Sequence, residues 1–112
     1  MKTDEAQWKE RVKKLFKEVG EELYYHMPVM NGMGAPTLDF ICCWQGRYFA
    51  VETKDKSKDL TLRQCITRDN MIKAGGVVFR VRNAEELELL RAWLGVVNPA
   101  PALGGYISDG EE

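Results

Sequence analysis

Two runs rich in aromatic and β-branched residues, Leu38-Asp-Phe-Ile-Cys-Cys-Trp44 and Arg47-Tyr-Phe-Ala-Val-Glu-Thr-Lys54, are separated only by Gln45-Gly46. No other stretch restricts the fold so tightly. A two-residue connection between strands demands positive φ, which glycine supplies, so the segment is expected to be a β-hairpin with Gln45 and Gly46 as its loop. The loop sets the register. Trp44 faces Arg47, and counting outward brings Asp39 directly opposite Glu52, with Lys54 two residues on along the same face. Phe40, Cys42, Phe49 and Val51 make the other face, while Ile41 and Ala50 are the apolar neighbours of the acidic pair. Both faces read as buried, so helices should cover the sheet. Directly opposed side chains sit about 4.5–5.5 Å apart at Cβ, a distance at which like charges repel. The Asp39/Glu52 pair therefore calls for a cation between its carboxylates.

The rest of the chain supplies those helices. Residues 4–19 have a helical period with Trp8, Val12, Leu15, Phe16 and Val19 on one stripe, and Gly20 ends the run. Glu5 falls within the apolar stripe, whereas Glu10 projects to the far side. A carboxylate there can simply favour the helix N-terminus. Glu22 to Val29 reads as a strand, with Pro28 near an edge or strand end and His26 as a structural residue. Asn31-Gly-Met-Gly-Ala-Pro36 is a loop, and Asp55 to Asp59 a polar loop after the hairpin. Thr61 can cap a helix from Leu62 to Ala74, which stops at Gly75-Gly76 and places Gln64 in its first turn, off the Leu62/Ile66 stripe. Val77 to Val81 is a short apolar strand, and Asn83 caps a helix over 84–94 whose Leu87, Leu90 and Leu94 face a core. Residues 1–96 make one domain, and 97–112, rich in Pro, Gly and acid, read as a C-terminal tail. The order α-β-β-β-α-β-α around a central antiparallel hairpin predicts an α/β fold, a three-layer α/β sandwich.

A length of 112 residues suits a single core, and apolar and charged fractions of 45% and 29% are those of an ordinary globular protein. No apolar run is long enough for a membrane span, and the N-terminus is charged rather than apolar. Three cysteines, two of them adjacent and so on opposite faces of one strand, argue for reduced, buried thiols in a cytoplasmic protein. One His and no C-x-x-C pair exclude a convincing zinc set. A net charge of −1 is not that of a constitutive DNA-coating protein. The charges are unevenly placed, however. Lys9, Arg11, Lys13, Lys14 and Lys17 cluster early, Lys54, Lys56 and Lys58 follow the hairpin, and Asp109, Glu111 and Glu112 make the end acidic. Basic patches beside an acidic pocket suit a phosphate backbone read briefly and released; solvated helix and loop faces are the plainer account.

Asp39 with Glu52-Thr-Lys54 on adjacent strands resembles the active site of the PD-(D/E)xK nucleases. Gly34-Ala-Pro36 before the Asp, the aromatic run into Glu52-Thr-Lys54, and Leu60-Thr-x-x-Gln64 after a Lys-rich loop resemble the virus-type replication-repair nuclease (VRR-NUC) domain, across most of the chain. In the family pattern Pro directly precedes the acid; here Thr37 and Leu38 intervene. The resemblance implies a restriction-endonuclease-like core with a mixed β-sheet and a metal-dependent DNA endonuclease of replication or repair, selective for branched or four-way-junction DNA. It also implies a homodimer, for which Tyr106 and Ile107 and the exposed aromatics are candidate interface groups. Within it Gln64 supports the active site, and Glu5 matches an additional acidic residue from the N-terminal helix.

Phosphodiester hydrolysis must stabilise charge on phosphorus and deliver a hydroxide equivalent, and a divalent metal does both. Asp39, Glu52 and the backbone carbonyl of Thr53 offer hard oxygen ligands suited to Mg²⁺ or Mn²⁺, and Lys54 is a compact cation that can position water and offset phosphate charge. Two other readings compete. One is a module that binds branched nucleic acid or a replication partner through Tyr24, Tyr25 and the lysines without cutting. The other is a scaffold in which Glu52 and Lys54 form a structural ion pair. A scaffold has no reason to bury Asp39 and Glu52 face to face, whereas a metal site requires it.

Overall fold

The computed structural model describes residues 3–29, 36–95 and 105–109. Most of the Asn31–Pro36 loop lies outside them. In chain order the elements are α1 (Asp4–Val19), β1 (Leu23–His26), β2 (Phe40–Trp44), β3 (Arg47–Thr53), α2 (Leu62–Lys73), β4 (Val77–Val81), α3 (Ala84–Gly95) and β5 (Gly105–Ile107). The strands make one sheet in sequence order, with β1, β2 and β3 antiparallel and β4 and β5 joined to them in parallel. Each parallel step is bridged by a helix, α2 before β4 and α3 before β5, as parallel pairing requires.

The hairpin has the expected register. Trp44 pairs with Arg47, and the series runs through Cys42 with Phe49 to Phe40 with Val51. Gln45 (φ 51°) and Gly46 (φ 77°) both take the left-handed conformation, which matches the twist of the two strands. Strict alternation then divides the molecule into layers. Phe40, Cys42, Phe49 and Val51 point to one face and meet Trp8, Val12, Leu15 and Phe16 of α1 and Leu87, Leu90 and Leu94 of α3. Rings are concentrated there: Phe49 lies edge-on to Phe16, Phe79 and Trp93, with centroids 5.1–6.1 Å apart. On the other face Leu38, Ala50 and Val78 pack with Ile41, Met71, Ile72 and Tyr106 beneath α2. The fold is thus an α/β three-layer sandwich around a five-stranded mixed sheet.

The helix ends are built by local chemistry. Thr3 Oγ1 accepts from Ala6 N–H (3.0 Å) and Asn83 Oδ1 from Glu86 N–H (2.8 Å). Thr61 and Gln64 form a reciprocal capping box, at 3.2 Å and 3.0 Å.

Five expectations are corrected. Residues 105–107, read as tail, form β5 on β4, and the expected strand over 22–29 is confined to Leu23–His26, with Pro28 beyond its end. Tyr106 and Ile107 are not free interface groups: Tyr106 packs on the Ala50/Val78 cluster with the Arg68 guanidinium 4.6 Å from its ring centre, and Ile107 packs on the main core. Cys42 is buried but Cys43 is exposed, because α2 packs over β4 and β5 and leaves the β1/β2 part of that face open; all three cysteines are free. The fifth concerns α2, whose Leu62 and Ile66 are 79% and 55% exposed while Gln64 and Thr67 turn inward. No helix among the described residues is long and apolar enough to cross a membrane.

Beneath the sheet's carboxyl end lies a clamp that hydropathy conceals. Arg80 on β4 is fully buried, and its guanidinium meets Glu86 of α3 (Nε 2.8 Å), Asp109 beyond β5 (2.9 Å) and Asp59 before α2 (2.8 Å). Glu86, 1% exposed, also accepts from the N–H groups of Arg82 and Asp109. A buried ion pair repays its desolvation only with such additional bonds. This one joins four segments at the end of the sheet where β3 delivers Glu52, the register partner of Arg80.

Candidate active site

β3 carries Glu52 out of the core, and the chain entering β2 brings Asp39 to it, one step beyond the last ladder pair, Phe40 with Val51. The two residues are bonded through unlike parts. Asp39 N–H donates to Glu52 Oε1 (2.9 Å), and Asp39 Oδ2 accepts from both the N–H (3.0 Å) and the hydroxyl (2.6 Å) of Thr53. Glu52 Oε2 accepts from Gln64 Nε2 (2.7 Å), and Gln64 Oε1 is held by Thr61 N–H. The capping box thus fixes the glutamine amide and aims its donor at the carboxylate. Gln64 therefore reaches the site, and the Leu62/Ile66 stripe from which it stands apart is the outward one.

Glu52 is 3% exposed. Burial, followed by the charge of Asp39, pushes its carboxyl up to about 8, against the pull of the Asp39 N–H and the Lys54 ammonium; Glu5 adds to the upward push. Lys54 shares the face of Glu52 and is 9% exposed, with its N–H on Val81 O (3.1 Å). Among the described residues its ammonium forms no ion pair, although its charge acts on Glu52.

Glu5 arrives on α1. Its N–H donates to Asp55 Oδ1 (2.8 Å), and Lys56 N–H donates to Asp4 Oδ2 (2.9 Å), so the first turn of α1 is sewn to the loop after Lys54. Lys9, one turn on, is the group that sequence reasoning missed: its ammonium lies 3.6 Å from Glu5 Oε2 and 3.8 Å from Asp39 Oδ1. A lysine in a basic cluster reads as solvated, and only the docking of α1 reveals that this one faces acid. A cleft of about 240 Å³ opens on Asp39, Glu52 and Gln64, with Arg63 and Thr67 at its side. Glu5, Thr53 and Lys54 adjoin the acidic pair without lining that cleft. The Tyr25 ring is half-buried and packs on Phe16 and Phe40 at 5.0 and 5.8 Å, whereas Tyr24 is exposed.

Among the described residues no three His, Cys, Asp or Glu side chains gather as a metal-binding group. The donors the pair presents are two carboxylates, oxygen ligands of the kind that suit a hard divalent ion retaining its own waters. Two facing carboxylates, one with its charge disfavoured by burial, are also what such an ion would relieve. Lys9 is the counter-ion that the chain itself gives Asp39. Replacing Asp39 by Asn keeps an oxygen for Thr53 while removing one charge of the pair. Asp39→Asn is thus expected to melt in EDTA at or above the parent temperature, with a gain of about 1 kcal/mol or less, and to respond far less to Mn²⁺. A variant that melts well below the parent and gains equally from Mn²⁺ would make Asp39 a structural residue only.

Comparison of the chain with protein-family models, with curated proteins and with solved structures gives no match.

Proposed function

We propose that the chain is a metal-dependent endonuclease that hydrolyses DNA phosphodiester bonds, with branched or four-way-junction DNA as its substrate class. The observation that carries this reading is the acidic pair: Asp39 and Glu52 are held together at the end of two strands, beside Lys54, a buried residue whose ammonium has no ion-pair partner among the described residues. The arrangement opposes folding and is explained by chemistry done there. The resemblance of Asp39 and Glu52-Thr-Lys54 to the PD-(D/E)xK pattern supports the same reading.

Asp39, Glu52 and the Thr53 carbonyl would hold Mg²⁺ or Mn²⁺. Such an ion, when bound, supplies a hydroxide equivalent at neutral pH and offsets charge on the phosphate. The chain's own groups do the rest. Thr53 fixes the Asp39 carboxylate through two donors, and Gln64 is a positioning residue that orients Glu52. Lys54, a compact cation, orients the attacking water and faces the developing phosphate charge. Glu5 and Lys9 set the charge at the α1 side of the pair.

The deciding experiment incubates the chain with linear, flapped and four-way-junction DNA in Mg²⁺, Mn²⁺ or EDTA. Cleavage that requires the ion is expected, strongest on the branched forms; no cleavage of any substrate with either ion would remove the proposal. A homodimer belongs to the same reading, because two clefts related by symmetry match a two-fold junction. Sedimentation at micromolar concentration should show the dimer, and a monomer that cuts junctions at full rate would overturn it.

A further inference from the structure

Beside the acidic cleft lies a second, larger cavity of about 620 Å³, walled by Tyr48, Ile66 and Met71, with Arg63 and Asn70 at its polar positions. We propose that this cavity is a nucleobase site, which receives an unpaired base of the DNA strand whose phosphate enters the acidic cleft. The inference rests on the nuclease reading and specifies its substrate: the nucleotide beside the cleavage point must be out of the duplex stack.

Four observations support it. The cavities adjoin, with Pro36, Arg63 and Thr67 lining both, so that a nucleotide whose phosphate lies in one has its base within reach of the other. Apolar walls with few polar groups are the usual make-up of a small-ligand site. The aromatic wall is braced: Tyr48, 46% exposed and lining the cavity, lies so close over Gly76 that a Cβ there would come within 2.7 Å of the ring. Bases of any sequence stack on such a ring. The polar groups are also free for a ligand. Among the described residues neither the Arg63 guanidinium nor the Asn70 carboxamide has a hydrogen-bond or ion-pair partner, and both side chains are exposed. A guanidinium at the boundary of the two cavities suits a phosphate oxygen, and a carboxamide, donor and acceptor together, suits a base edge. A base paired within a duplex can offer neither its face nor its Watson–Crick edge, so the occupant is a flap or branch-point nucleotide.

The test places a single abasic residue at successive positions of a flapped oligonucleotide. Affinity is read by fluorescence anisotropy with the Glu52→Gln chain in Mg²⁺, and cleavage with the parent chain. One position is expected to lose roughly tenfold in affinity when its base is missing. Asn70→Ala and Tyr48→Leu should abolish that dependence and leave affinity for fully paired duplex unchanged. Asn70→Ala is at an exposed helical position where Ala favours the helix, so it tests the site without endangering the fold. Equal affinity at every abasic position overturns the base site. If the parent chain also cuts all these substrates equally, the base site falls and the nuclease reading stands. Should no ion support cleavage while the Asn70-sensitive dependence persists, the base site stands and the nuclease reading falls. A dimer that Tyr48→Leu dissociates, with no base dependence, would assign the cavity to a second copy of the chain and overturn the proposal.

Discussion

Replacing Glu52 by Gln, or Lys54 by Ala, is expected to lower metal-dependent DNA cleavage by about a thousandfold or more while DNA binding is retained. The magnitude follows from several kcal/mol of transition-state stabilisation by a bound ion, at about 1.4 kcal/mol for each factor of ten. Binding survives because phosphate affinity comes from cations spread over the surface, such as Lys13, Lys14 and Arg63, whereas Lys54 is buried. In Glu52→Gln the side-chain carbonyl oxygen can still accept the Asp39 N–H, which keeps the strand end in place, while the new NH2 meets the Gln64 Nε2 donor and that bond is lost. Lys54→Ala leaves a void, and Lys54→Met serves as its companion because it keeps most of the volume and none of the charge. Single-turnover cleavage and anisotropy binding on the same junction provide the two readouts. If either Glu52→Gln or Lys54→Met cuts at the parent rate, the acidic pair and its ammonium are not the centre of the reaction.

The second large effect is on stability. In EDTA the chain should become less stable as pH rises from about 4.5 to about 8, because the Glu52 carboxyl is raised from the one value toward the other on folding, by burial first and the charge of Asp39 second. Below the lower limit both folded and unfolded states carry the proton, and the contribution is complete. Between the limits the unfolded chain has released a proton that the folded chain keeps, so each pH unit removes up to about 1.4 kcal/mol. Beyond the folded value the loss is complete, and it amounts on the order of a few kcal/mol, a large share of the roughly 5–15 kcal/mol typical of a domain. Glu52→Gln has no proton to lose, and its profile across the window should be flat relative to the parent. Other shifted acids act elsewhere on the scale. Asp109 is held below the ordinary carboxylate value by Asn83, and Asp59, despite partial burial, by Arg80, so their contributions are present before the window opens. Urea titrations of both proteins across the range give the measurement. Parallel profiles would mean that Glu52 is already ionised in the folded chain.

What could be read from the residues depended on how local the determining physics was. The hairpin was fully legible because two loop residues set its register and alternation divided its faces; the ends of α1 and α3 followed from Gly20 and Asn83. Where determinants are distant, the sequence was silent or misleading. Leu62 and Ile66 look like the inner stripe of α2, but the helix is turned by the bond from Gln64 to Glu52 and the packing of Met71 and Ile72, and neither is visible in its own periodicity. Arg80 reads as an interruption of an apolar strand, because its partners Asp59, Glu86 and Asp109 lie on three other segments. β5, three residues long in a Gly- and Pro-rich stretch, has almost no local signature and exists through its pairing with β4. Lys9 needed the angle at which α1 docks.

That docking has a temporal consequence. The bonds that sew Asp4 and Glu5 to Lys56 and Asp55 close loops of 52 and 50 residues, and Gln64 reaches Glu52 only after α2 has formed its cap. Contacts so far apart along the chain form late, since their loop entropy is offset only once the intervening elements are in place. The acidic pair would be drawn together by the hairpin alone, early, but its surroundings would not. A chain still emerging from the ribosome, or one partly unravelled at α1, would therefore hold the two carboxylates without Lys9, Glu5 or an ordered Gln64. If the chain is the proposed nuclease, hydrolytic competence arrives with the last long-range contacts, and an incomplete copy leaves the DNA around it uncut.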